Sequence, residues 1–164
     1  MSTVDFVTRP LKVTADTTFN LQDLIRTINR WASKHGFDPY DADHAEIQRG
    51  DGKDYLLKLA LYRDEDDYHE SVIELKIQGE NLQFAKRKDQ ICSQGKVTVA
   101  LRAILNKDIK AKWETNFTMH FFRAVWDRYV EGDKHDKYHS ELDQEAKDLH
   151  AEIKSFLNVE KYKL

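Results

Sequence analysis

Alternation of apolar and polar side chains through residues 55–105 constrains this chain more than any other feature. Leu57, Leu59 and Leu61 share one face of a strand, and Leu56, Lys58, Ala60 and Tyr62 share the other. Ile73, Leu75 and Ile77 oppose Glu74 and Lys76 in the same way. Val97, Val99, Leu101, Ala103 and Leu105 repeat the pattern. A period of two over such lengths specifies strands with one face buried and one face wet. Sliding these strands by one residue would turn Glu74, Lys76 and Arg102 inward, so the register is well specified. The links are short: the acidic run 64–67, Gly79-Glu80-Asn81, and Gly95 ahead of the last strand. They read as hairpin punctuation, with Gly79-Glu80-Asn81 turning the chain into a further strand over 82–88. Links of this length cannot hold helical crossovers, so the sheet is antiparallel.

Helical patterns lie on either side of this block. Asn20 is a good N-cap, and Leu21, Leu24, Ile25, Ile28, Trp31 and Ala32 recur at helical spacing until Gly36 stops them after His35. Ahead of that helix, residues 11–14 can form a strand, with Pro10 at its beginning or edge because it has no backbone donor. Residues 37–43 read as a loop, 44–49 as a short strand, and Gly50-Asp51-Gly52-Lys53 as a tight turn. Beyond Leu105 the pattern changes. A basic stretch is followed by a second helix capped by Asn116, striped with Phe117, Phe121, Val125, Trp126 and Tyr129, and ended by Gly132. A third runs from residue 134 or 138 to 158, with Leu142, Ala146, Leu149, Ile153 and Phe156 as its apolar seam. The expectation is one α+β domain, 1–164: an antiparallel sheet of about five or six strands, with an amino-terminal helix and two carboxy-terminal helices on one face.

The segments 19–24, 31–37, 67–70, 112–114 and 121–130 carry a resemblance. Their anchors are Phe19, Asn20, Leu24, Trp31, Gly36-Phe37, Tyr68-His69-Glu70 and Lys112-Trp113. Together they resemble an uncharacterised family of small archaeal cytoplasmic α+β proteins, over residues 11–158. The resemblance implies an archaeal origin and brings no activity or catalytic residue. The layout is also similar, at the level of fold, to the helix-grip architecture of lipid-binding and cyclase-like proteins. That similarity implies a small-molecule pocket between sheet and final helix.

Chemistry-bearing residues are sparse in pattern. His135 and His139 stand four apart and share a helix face, but HxxxH supplies two ligands where a metal needs three or four. The expected state is a solvated helix start. His44, Glu46, His69 and Glu70 could meet only if their strands are neighbours, and the acidic run 64–67 lacks the glycine and oxygen spacing of a calcium loop. The single cysteine, Cys92, has no CxxC partner and no adjacent histidine. No Walker loop, GxGxxG or Gly-x-Ser-x-Gly occurs. Neither catalytic residues nor a metal or other cofactor are therefore expected.

Two features remain for function. The second helix is apolar over more than half its circumference, so it wants a second partner besides the sheet. Phe122, Trp126, Tyr129 and the last-helix seam are the candidate protein contacts, giving a non-enzymatic binding or assembly module, a homo-oligomer or part of a larger assembly. The alternative is RNA or ribonucleoprotein binding through a basic sheet edge made of Lys86, Arg87, Lys88, Lys107, Lys110 and Lys112. The near balance of charge, −3 overall, argues against a general polyanion binder but leaves room for a local patch. A lone cysteine, no long apolar run and no basic-then-apolar leader point to a cytoplasmic protein with no membrane partner.

Overall fold

A computed structural model describes residues 3–66, 68–87, 90–107 and 132–162. Along the chain these form β1 (Thr3–Phe6), β2 (Leu11–Phe19), α1 (Leu21–Lys34), β3 (Asp38–Arg49), β4 (Gly52–Asp64), β5 (His69–Arg87), β6 (Gln90–Lys107) and α2 (Gly132–Tyr162). The six strands make one antiparallel sheet. β3, β4, β5 and β6 follow one another as a meander, and β1 and β2 both pair with the far side of β6. Pro10 explains why that edge is split. It cannot donate to the ladder, and the gap is bridged by Val7 N donating to Ala103 O (2.9 Å) and Ala103 N donating to Thr8 Oγ1 (3.1 Å).

Because β2 ends on one edge and β3 begins on the other, α1 carries the chain from edge to edge. Its start is fixed by Asn20, whose side chain accepts from Gln22 N at 2.9 Å and Asp23 N at 3.3 Å. It buries Leu24, Ile28, Trp31 and Ala32. α2, 31 residues and so about 46 Å long, lies against β2, β6 and β5 and touches α1. Leu142, Ala146, Leu149, Ile153 and Leu157 are fully buried in the same core as Leu57, Leu59, Leu61, Ile73, Leu75, Ile77, Val97, Val99, Leu101, Ala103 and Leu105. Leu157 takes the place that the sequence assigns to Phe156, which is only partly buried. A helix seam advances by 3.6 residues, and a step of four from Ile153 keeps it on the sheet.

Three expectations change. The stretch 37–43 is no loop: β3 begins at Asp38, and Pro39 sits in it because β3 is an edge strand pairing only with β4. A bulge between Asp41 and Asp43 absorbs the irregularity. Next, Gly79-Glu80-Asn81 is no turn. β5 runs straight through it to Arg87, with the register shifting between Glu80 and Gln83 and Asn81 at φ 49°. The glycine serves packing instead: a Cβ at Gly79 would lie 2.5 Å from Leu82 Cδ1. β5 and β6 therefore form one long hairpin whose far end reaches past the helices. Last, the expected helix over 116–132, with Phe122, Trp126 and Tyr129, lies outside the described residues, among which there are two helices. The α2 seam, offered above as a partner contact, is consumed by the chain's own core.

Candidate nucleic-acid interface

Strand pairing stacks alternate residues into rows across the face that neither described helix covers. One row runs Asp43, Lys58, Lys76, Ala100, Lys12, each the register partner of the next. The next holds Tyr40, Ala60, Glu74 and Arg102. A third holds Asp38, Tyr62, Val72, Ile104 and Phe6. Rows are about 7 Å apart and strands about 4.8 Å, so Lys12 and Lys58 are separated by about 14 Å across the sheet.

Lys12, Lys58 and Lys76 are all exposed. Lys58 directly opposes Lys76, an arrangement that costs stability because like charges meet across the strands. No described carboxylate pairs with any of the three. Several other surface cations are paired: Arg102 with Glu74 (2.6 Å), Lys53 with Glu46 (3.6 Å), Lys147 with Asp143 (2.9 Å). The small side chains of Ala60 and Ala100 leave a groove of about 440 Å3 between the lysines, Pro10 and Arg102. A second hollow of about 290 Å3 adjoins it over Val72 and Ile104, walled by Tyr62 and Phe6. Phe6 is 58% exposed and Tyr62 38%. Tyr40 meets Tyr62 edge-on at 6.5 Å, and the Arg102 guanidinium lies 5.3 Å from the Phe6 ring centre. The face thus offers free ammonium groups beside accessible ring faces. Both hollows open on this side, away from the space under α2 where the helix-grip similarity puts a pocket.

The basic residues singled out from the sequence are not brought together. Lys86 is exposed near the tip of the hairpin, opposite Ile91. Lys107 is half-buried at the other end of β6, opposite His69. Sixteen positions of β6 separate Ile91 from Lys107, about 50 Å of strand. Arg87 pairs in register with Gln90, and Lys88, Lys110 and Lys112 lie outside the described residues. Lys12, Lys58 and Lys76 were missed because they are 18 or more positions apart in sequence and become neighbours only through the register.

A second polar centre lies where the β4–β5 loop meets α2. Arg63 donates to Glu145 through both terminal nitrogens (2.7 and 2.8 Å), to Glu65 through Nε (2.8 Å) and to His35 O (2.8 Å). Burial works against the guanidinium charge, but the hydrogen bonds from Glu145 and then Glu65 outweigh it, and the net effect raises the pKa. Asp66 Oδ1 accepts from Tyr68 N (2.7 Å) and His69 N (2.8 Å). Burial pushes its carboxyl up, yet these backbone donors and the adjacent His69 hold it below its ordinary value. Of the four histidines named from the sequence, His69 lies beside His135 and His135 beside His139, with ring centres 5.8 and 6.1 Å apart. His44 stays on β3 beside Tyr55 and Glu46.

No described helix is long and apolar enough to cross a membrane. No family model matches the chain, and no curated protein does. Among solved structures it is matched to an uncharacterised protein from Rhizobium leguminosarum, at 11% identity, with 98% of this chain and 99% of that one covered and a TM-score of 0.21. A likeness at that score carries no argument about fold, origin or function, and it lends no support to the archaeal resemblance.

Proposed function

We propose that the protein is a binding module whose ligand surface is the open sheet face, and that its ligand is single-stranded RNA. The observation that supports this is a row of the sheet in which Lys58 and Lys76 oppose each other at a cost in stability and Lys12 stands two strands further on, next to exposed aromatic rings. Phosphates meet Lys12, Lys58 and Lys76, and bases stack on Tyr62, Tyr40 and Phe6. Fluorescence anisotropy with a short mixed-sequence RNA, titrated across a range of salt, tests it. Three phosphate contacts give a slope of log affinity against log salt of about −2, and each lysine removed takes away about 0.7. Tyr62→Ala should weaken binding by about 1–3 kcal/mol while leaving the slope unchanged. Binding that Lys58→Glu/Lys76→Glu leaves intact, or no binding at low salt, would overturn the proposal.

A second reading is assembly, and a separate observation favours it. Phe84 and Ile91 stand 77% and 72% exposed at the end of the β5–β6 hairpin. They belong with Phe122, Trp126 and Tyr129 as candidate partner contacts.

A further inference from the structure

We propose that His69, His135 and His139 form a site for a divalent transition metal of the zinc type. The argument is independent of the open sheet face. It starts from His69, which is fully buried on the helix side of the sheet at the first position of β5. Its Nδ1 lies 3.2 and 3.3 Å from the two oxygens of Asp66. Asp66 is itself fixed, by the two backbone donors described above and by Tyr138 Oη, which donates to Oδ2 at 3.2 Å. With Asp66 held against Nδ1, that nitrogen carries the proton shared with the carboxylate, and Nε2 is directed away from Asp66. That is the orientation a carboxylate imposes on metal-binding histidines generally.

The first turns of α2 bring two more imidazoles to this ring. His135 and His139 are four residues apart and so share a face. The His135 ring centre is 5.8 Å from that of His69 and 6.1 Å from that of His139. A ligating imidazole has its ring centre roughly 3 Å from the metal, so two rings sharing one ion sit roughly 5–6 Å apart. One observed spacing lies at the upper end of that range and the other just beyond it. In the present side-chain arrangement no three His, Cys, Asp or Glu groups among the described residues already converge on one point. Closing the site takes side-chain rotations of His135 and His139, both only half-buried, about a fixed His69. Three neutral imidazoles suit Zn2+, Co2+ or Ni2+ over Mg2+ or Ca2+, which prefer oxygen. The sequence showed the HxxxH pair and, separately, His69 beside His44 as a candidate; only the fold shows that His69, 66 positions upstream, lies beside His135.

The test uses the full chain, stripped with a chelator and titrated with Zn2+ by calorimetry and with Co2+ by visible absorption. The expected result is one equivalent bound, with the intense absorption of tetrahedral Co2+. His135→Gln and His139→Gln, on a half-exposed helix turn, should each reduce affinity by at least about 100-fold. Asp66→Asn should reduce it by about 10–100-fold through loss of orientation. His44→Gln should change nothing. Absence of binding at millimolar Zn2+, binding that survives both helix substitutions, or binding lost in His44→Gln would each overturn the proposal.

Discussion

Arg63 holds separate parts of the chain together. It stands on β4, reaches Glu145 on α2, Glu65 in the following loop and the last carbonyl of α1 at His35, and lies over the Phe37 ring at 4.3 Å. Ser71 Oγ donates to the same Glu65 oxygen at 2.7 Å, so the network extends to β5. Arg63 and Glu145 retain only 18% and 17% of their side-chain exposure, and removing one partner leaves the other charge stranded. Arg63→Met should therefore cost about 2–3 kcal/mol in urea unfolding. Arg63→Lys should recover less than half of it, because an ammonium cannot make the two parallel bonds to Glu145 or the further bond to Glu65. The sequence marks this centre only by a charge out of place. Arg63 falls on the apolar face of a strand whose alternation reads Leu57, Leu59, Leu61, and its partners are distant in the chain. A lone charge at a core position is legible as an anomaly, but its partner is settled only by the fold.

At the scale of elements, period was readable, whereas strand length and interruptions were not. The alternation of β4, β5 and β6 and the caps of α1 follow from local chemistry, and the structure has them. The glycines misled because one residue type serves two ends. In Gly79-Glu80-Asn81 the composition of a turn is used for a bulge, and Leu82 occupies the space that side chains at Gly79 and Gly95 would fill. Continuity of β5 through this point is what lets the hairpin project. The bulge makes a sharp prediction. Gly79→Ala should destabilise by about 1–3 kcal/mol, since a Cβ there meets Leu82 Cγ at 2.9 Å as well as Cδ1. In a Leu82→Ala background the same substitution should cost less than about 1 kcal/mol. A double-mutant cycle in urea measures the coupling; additive costs would mean that Leu82 is not what excludes the side chain. Pro39 teaches the converse lesson. It reads as a strand breaker, yet β3 holds it because only one of that strand's edges is paired.

At the scale of the whole molecule, two described surfaces are covered by neither described helix: the lysine-bearing face of the sheet, and the end of the β5–β6 hairpin with Phe84 and Ile91. Those two surfaces differ in chemistry, and salt separates them. Association through the lysine row weakens as counterions compete, whereas association through Phe84 and Ile91 persists or strengthens in high salt. The native mass measured by light scattering at low and high salt should therefore show self-association that survives high salt and falls to the monomer in Phe84→Ser/Ile91→Ser. Both substitutions are on exposed side chains, so thermal stability should stay within about 0.5 kcal/mol of the parent. If the mass instead falls only in Phe122→Glu, the apolar stripe of residues 117–129 is the contact and the hairpin tip is not. If the chain is monomeric under every condition, RNA affinity on the open face carries the whole functional reading.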